Sequence, residues 1–267
     1  MDPDLYRSAQ TQSGVSPFWA QKYSNDASKN WEKFYKRNST NFFKDRHWTS
    51  TESTDGFPCL AEHKDDRTVV VEAGCGVANC AFPLLDTNPN IFVHAFDFAP
   101  TAIELIKSNG RYDEDRMNAF VWDFCTQPLS EVDRETRGSL ESGEVDFCLL
   151  VFVLSAVPPA KHASGLRNLY NLLKPGGKVL FRDYATGDLA QNRFSCKNRI
   201  DENYYVRQDR TLSFFFSEEE LRSCMAEIGF EEIYVRRVQR IIENRKEKLK
   251  MNRVFLQAEF GKPRTDQ

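Results

Sequence analysis

Long apolar runs are missing from this 267-residue chain. The longest, Phe147 to Leu154, is eight residues, far short of the roughly 18 that suggest a membrane span. The first residues, MDPDLYRSAQ, show no basic stretch leading into an apolar one, so no secretory signal is expected. The seven cysteines (Cys59, Cys75, Cys80, Cys125, Cys148, Cys196, Cys224) include no Cys-x-x-Cys pair. No histidine stands at ligand spacing from Cys75 and Cys80, so no metal is expected. Free buried thiols in a reducing compartment are the simplest account. No internal repeat and no long low-complexity tract interrupts the chain. These absences exclude a membrane protein, a disulfide scaffold and a fibrous chain. The chain is long enough to bury a core without staples.

Charge of one sign is also lacking overall, with a net of −3, but it is unevenly spread. Residues 1–50 carry eight Lys/Arg against five acids, and residues 236–253 carry eight against two. Residues 131–146 reverse this, with six acids against two Arg. Two basic segments can form a phosphate-binding face, or can simply be solvated helix faces.

Apolar strand patterns alternate with helical ones through the middle of the chain. Strands are expected at Thr68–Ala73, Ile91–Asp97, Ala119–Trp122, Val145–Leu154 and Lys178–Tyr184. Helices are expected at Val77–Leu85, Pro100–Ser108 and Pro159–Leu173, the last closed by Lys-Pro-Gly-Gly. Residues 49–66 and 124–144 read as loops. This alternation means βαβ units and a parallel sheet covered on both faces. Upstream, Ala27–Lys36 has helical spacing, with Asp26 at the N-cap position. Downstream, Tyr204–Arg207 and Leu212–Phe216 pattern as a hairpin, and Ser217–Ile228 as a helix opened by a capping box. Gly229 fits the C-cap of that helix, and late strands are expected at Phe230–Ile242 and Val254–Phe260.

The first strand runs into Glu72-Ala73-Gly74-Cys75-Gly76-Val77-Ala78-Asn79, a glycine turn where a cofactor can approach the backbone. Asp97 ends the next strand, 23 residues past Gly74, a spacing suited to a carboxylate accepting ribose hydroxyls. A nicotinamide dinucleotide fits less well, because Asn79 stands where the third glycine would be. Glu72 and Asp123 make the loop region acidic. That suits a cationic ligand without phosphate, such as S-adenosylmethionine. Asp123 could accept from an adenine amino group, or serve as a turn residue at a strand end. Glu72 could equally be a buried acid bonding backbone N–H groups.

The order of Glu72-Ala73-Gly74-Cys75-Gly76, Asp97, Asp123 and Leu173-Lys174-Pro175-Gly176-Gly177 resembles the class I S-adenosylmethionine-dependent methyltransferases. A closer likeness lies outside that core. Trp31-Glu32-Lys33-Phe34-Tyr35-Lys36-Arg37, continuing to Trp48, is similar to the N-terminal signature of the tRNA N3-methylcytidine methyltransferases (the methyltransferase-like family). So are Phe152–Val157, Phe181-Arg182-Asp183-Tyr184, Tyr205–Asp209 and Arg253–Gln257. Two departures stand out: Ala78 and Arg210 occupy positions where the family commonly has glycine.

The resemblance implies a Rossmann-like, mostly parallel seven-stranded sheet with helices on both faces. Residues 1–66 would be a cofactor-closing and tRNA-binding extension. Residues 67–267 would be the methyltransferase domain, with an insertion at about 185–216. It implies that Trp31, Tyr35, Gly74, Asp97, Asp123 and Val151 line the cofactor site, with Gly76 in the same loop. Without it, Trp31 and Tyr35 read as a helix packing on the core. Lys36, Arg37, Lys44, Arg46 and His47, interleaved with Phe42, Phe43 and Trp48, would meet phosphates and bases.

The implied activity is formation of 3-methylcytidine in a tRNA anticodon loop. The short N-terminal extension is similar to members acting on serine tRNAs, some of which work with seryl-tRNA synthetase. The cytoplasm, with nuclear access, is the expected location. Asp183 is the candidate carboxylate near the base, with an ion pair to Arg182 as the alternative. Tyr184 could stack on the base, and Arg253 could meet its carbonyl oxygen or a phosphate. No Asn/Asp-Pro-Pro-aromatic motif follows the fourth strand, which favours a ring nitrogen over an exocyclic amine. Two other readings remain open: a methyltransferase of small molecules or proteins, and a non-catalytic cofactor-binding subunit.

Overall fold

Strands rich in Val, Ile and Phe, buried along nearly their whole length, need cover on both faces. The computed structural model describes residues 14–51, 56–61, 66–244 and 249–264 and shows how that cover is arranged. Helices α1 (Pro17–Asn25) and α2 (Ala27–Asn38) come first. They are followed by β1 (Thr68–Ala73), α3 (Ala81–Thr87), β2 (Ile91–Asp97), α4 (Pro100–Lys107) and β3 (Met117–Val121). Next come α5 (Arg134–Arg137), β4 (Val145–Val151), α6 (His162–Leu172) and β5 (Leu173–Tyr184). A short α7 (Leu189–Asn192) leads into β6 (Arg199–Asp201), β7 (Tyr204–Val206) and β8 (Leu212–Phe214). The chain closes with α8 (Glu218–Ile228), β9 (Glu231–Asn244) and β10 (Leu249–Gly261).

One sheet has the order β3-β2-β1-β4-β5-β10-β9. Its first five strands are parallel, β10 is antiparallel to β5, and β9 pairs with β10. The order reverses between β1 and β4, where open α/β sheets bind ligands beyond the strand carboxyl ends. β6, β7 and β8 form a separate antiparallel sheet. The larger core, around Trp122, Phe181 and Phe216, fills one side of the main sheet, and a second, around Phe57, Phe82 and Ile106, fills the other. A small third cluster of Phe34, Tyr35, Val77 and Ala102 fastens α2 above the loop after β1.

Several boundaries differ from the sequence expectation, each for a local reason. The helix expected from Val77 begins at Ala81, because Gly74, Gly76 and Ala78 all have positive φ (57°, 56° and 62°). The strand expected to reach Leu154 stops at Val151, because Phe152 turns the chain at φ 59°. The helix expected from Pro159 begins at His162, after a 3₁₀ turn. The Lys-Pro-Gly-Gly stop is already part of β5, which shifts register against β4 there. Within 124–144 lies α5, capped by Asp133, which accepts from the Glu135 and Thr136 N–H groups. Asp26 makes no side-chain cap on α2; its carboxylate pairs with Lys22 at 3.1 Å and Lys29 at 3.5 Å. The capping box of α8 forms, with Ser217 and Glu220 bonded both ways, and Gly229 ends the helix in αL.

Candidate active site

A cleft of about 980 Å³ opens at the carboxyl ends of β1, β2 and β4 and runs under α2 towards the small sheet. Its floor is the loop after β1. A Cβ on Gly74 would lie 2.5 Å from Val153 Cγ1, and one on Gly76 would lie 2.7 Å from the Tyr35 hydroxyl. Both glycines also have positive φ, so steric room and backbone conformation each demand them.

Three acids shape this end of the cleft. Glu72 is buried and accepts from Cys80 N at 3.2 Å and Ala81 N at 2.8 Å, closing the N-terminus of α3. Burial pushes its carboxyl up to about 7. Asp97 accepts from Gly76 N at 3.0 Å and Ala99 N at 2.9 Å, and burial raises it to about 6. Half-buried Asp123 accepts from Cys125 N at 3.1 Å. Val151 lines the cleft from the end of β4. Trp31 and Tyr35 cover it from α2, their rings 5.9 Å apart. Burial holds the Tyr35 hydroxyl well above its ordinary range.

This floor discriminates between cofactors. A dinucleotide pyrophosphate needs free N–H groups at the helix N-terminus. Here Glu72 occupies them with a carboxylate, which repels phosphate and tolerates a cation. Asp97 and Asp123 lie along the same wall as acceptors for hydroxyl and amino donors. The residues present therefore fit a cationic adenosyl ligand.

The other half of the cleft is aromatic and basic. Tyr184 lies 5.2 Å from the Phe152 ring and 5.7 Å from that of Phe215. The guanidinium groups of Arg207 and Arg253 lie over Tyr184, at 5.6 and 5.4 Å from its centroid. Arg253 Nε donates to both oxygens of Asp188, at 3.1 and 2.9 Å. Fully buried Asp188 also accepts from Val254 N and Ala190 N, each at 2.7 Å.

Asp183 is placed differently from the sequence expectation. It is fully buried and does not line the cleft. Its oxygens accept from Ser155 N at 2.9 Å and Tyr184 N at 2.8 Å, and burial lifts it to about 6. The alternative ion pair with Arg182 is not formed. Successive strand residues face opposite sides, and Arg182 bonds Gln257 Oε1 at 3.1 Å and lies over Trp48.

The residues proposed to meet tRNA split into two groups. Lys36, Arg37, Lys44 and His47 are exposed, and Lys36 pairs with Glu32 at 3.0 Å. Phe43 packs on Phe34 and Phe42, at 5.8 and 4.8 Å. Arg46 turns inward, with Nη1 donating to Val151 O at 3.0 Å. Arg37, Lys161, Arg193, Arg207 and Arg253 all line the cleft, from α2, the β4–α6 turn, the end of α7, the β7–β8 turn of the small sheet and β10. The basic 236–253 segment contributes Arg253; residues 245–248 lie outside the described residues.

Sequence reasoning missed Asp188, Arg207 as a cleft residue, Phe152 and His162. His162 is buried, and its Nε2 lies 2.9 Å from Leu154 O and 3.0 Å from Val157 O, tying down the turn that carries Ser155. Nothing local marks Asp188 as the partner of an arginine 65 residues later.

A methyltransferase domain family model matches residues 44–235. The chain is 47% identical over 249 residues to human tRNA N(3)-cytidine methyltransferase METTL6, covering 93% of this chain and 85% of that protein. It is 41% identical over 255 residues to the Saccharomyces cerevisiae tRNA(Thr) (cytosine(32)-N(3))-methyltransferase, covering 93% of this chain and 39% of that protein. Among solved structures it is similar to a Burkholderia thailandensis 1,6-didemethyltoxoflavin-N1-methyltransferase with bound S-adenosylhomocysteine. There the TM-score is 0.57 at 18% identity, covering 93% of this chain and 91% of that one.

Proposed function

The chain belongs to the tRNA N(3)-cytidine methyltransferases, and on that premise we propose that it methylates N3 of an anticodon-loop cytosine in serine tRNAs, using S-adenosylmethionine. The observation that carries this reading is the convergence on one cleft of cations from α2, α7, the small sheet and β10. Beside them lies a floor that admits an adenosyl cation and rejects pyrophosphate. A small-molecule enzyme needs no such rim, whereas a polyanion does.

When bound, S-adenosylmethionine supplies an activated methyl group. The protein supplies position and charge. Asp97 accepts the ribose hydroxyls, Asp123 the adenine amino group, and Trp31 and Tyr35 exclude water from above. The target base must leave its stack to expose N3, and unpaired loop bases do so at low cost. Tyr184 and Phe152 give it a face to stack on. Arg253, held by Asp188, meets its carbonyl oxygen or the adjoining phosphate. The N3 lone pair is free at neutral pH, so no general base is required, and alignment is the main contribution. The methylated base is cationic. Asp183, just behind Tyr184, places a buried negative charge towards it and holds the Ser155 turn in place.

Serine tRNA as substrate and seryl-tRNA synthetase as helper rest on the resemblance of the N-terminal segment. The relative named for threonine tRNA makes that tRNA the necessary control. The test is nucleoside mass analysis after incubating the purified chain with S-adenosylmethionine and serine or threonine tRNA, with and without seryl-tRNA synthetase. We expect 3-methylcytidine in serine tRNA, increased by the synthetase. Product confined to threonine tRNA would overturn the serine assignment. No methylated nucleoside despite measured cofactor binding would move the chain to the non-catalytic reading.

A further inference from the structure

Arg46 belongs by sequence to the phosphate-binding tract, yet the fold turns it into the floor of the cleft. Its backbone N–H donates to Asn79 O at 2.8 Å, tying it to the loop after β1. Its Nη1 donates to Val151 O at 3.0 Å, and its guanidinium lies 4.7 Å from the Phe152 centroid. Backbone and side chain of Arg46 together thus join the loop after β1 to the carboxyl end of β4, on both sides of the point where the strand order reverses. Glu72 and Gly74 line the cleft beside it. The other cations of the lining stand on α2, the β4–α6 turn, α7, the small sheet or β10.

Resting on the reading of this floor as the cofactor site, we infer that Arg46 binds the carboxylate of the cofactor's amino-acid end. Asp97 and Asp123, at β2 and β3, take the nucleoside end, which leaves the β1–β4 junction for the amino acid. The usual anion site there, the N-terminus of α3, is closed by Glu72. A carboxylate in this acidic floor therefore needs a cation from elsewhere. A guanidinium has five N–H donors in a fixed fork that matches a carboxylate; Val151 O takes one, the Cys80 thiol lies against another, and the remaining donors are left for a ligand beside Glu72. The Val151 bond and the Phe152 ring hold the fork in advance, which lowers the entropy lost on binding.

Calorimetry with two nucleosides tests this. S-adenosylhomocysteine carries the carboxylate; decarboxylated S-adenosylhomocysteine keeps the amine and lacks it. Arg46→Ala should weaken the first about 10- to 100-fold, the range of a lost charge-assisted hydrogen bond. The second should keep its affinity, and Arg46→Lys should recover part of the loss. Equal losses for both nucleosides would make Arg46 a wall of the pocket and overturn the assignment. Unchanged S-adenosylhomocysteine binding with weaker tRNA binding would return Arg46 to the phosphate-contacting group. A wild-type chain that binds neither nucleoside would defeat the cofactor reading itself.

Discussion

Ala78 and Arg210 share an uncommon backbone state, φ 62° and 68°, at positions where the family resemblance expects glycine. A left-handed conformation costs a residue with a Cβ about 1–2 kcal/mol. Replacing it by glycine loses about 0.4–1 kcal/mol to the looser unfolded chain. At exposed Arg210 those two terms decide the sign, so Arg210→Gly should stabilise by about 0.5–1 kcal/mol, read as the shift in a urea midpoint. Ala78 is fully buried, and its methyl contributes about 0.8 kcal/mol more by burial. Ala78→Gly should therefore be nearly neutral. A larger gain at Ala78 than at Arg210 would contradict this account. Asp188 is the opposite case, a buried charge with three partners. Asp188→Ala leaves Arg253 and two backbone N–H groups without it, and should cost about 3–5 kcal/mol in urea unfolding. Of these features the sequence disclosed only the two missing glycines. The Asp188–Arg253 pairing depends on β10 returning beside β5, which no local pattern encodes.

Helix α2 is the element on which the cleft depends. Glu32 accepts from Thr101 Oγ1 at 2.6 Å and Thr101 N at 3.1 Å, fixing one side of the helix to the start of α4. Asn30 Nδ2 donates to Arg210 O at 3.0 Å, fixing it to the β7–β8 turn. Gly14 N and Val15 N both reach Arg199 O, so the approach to α1 is tied to the same small sheet. The helix that covers the cleft and the small sheet are thereby coupled. Asn30→Ala removes one buried hydrogen bond, worth about 1 kcal/mol. It should speed amide exchange in α1 and α2 and weaken S-adenosylhomocysteine a few-fold, through Trp31 and Tyr35. Unchanged exchange would show that the apolar cluster under α2 suffices alone. The helix itself was legible from its aromatic spacing. Its attachment to residues 69 and 180 positions away was not, because hydrogen bonds to distant partners leave no periodic trace.

At the scale of the whole molecule, buried carboxylates and a basic rim set opposite dependences. Glu72, Asp97 and Asp183 hold protons more tightly folded than unfolded, with folded values of about 7, 6 and 6. Their contribution to stability is full below the ordinary carboxylate range and is lost as pH rises through about 6 to 7. In the proposed site cofactor binding runs the other way, because Asp97 would accept from two ribose hydroxyls only when ionised. S-adenosylhomocysteine affinity should therefore fall as pH drops below about 6, and Asp97→Asn should bind weakly with that pH step removed. A wild-type affinity flat from pH 5 to 8 would remove Asp97 from ribose binding. The cations around the cleft act on a polyanion, so tRNA affinity should fall steeply with salt while S-adenosylhomocysteine affinity barely changes.

The sequence by itself determined the βαβ order, the glycine turn after β1, the acids ending β2 and following β3, and the capped helix before β9. Each is a local matter: periodicity, side-chain size, or a residue's capacity to cap or turn. Tertiary structure alone decided which face each long-range residue serves. It sent Arg46 inward and Arg37 to the rim, although only eight residues lie between them. It set Asp183 behind the wall and Tyr184 on it, although they are adjacent. A strand alternates its side chains, and an irregular segment follows whatever carbonyls it meets. Such placements are fixed only when distant strands pair and the backbone's remaining hydrogen bonds find partners.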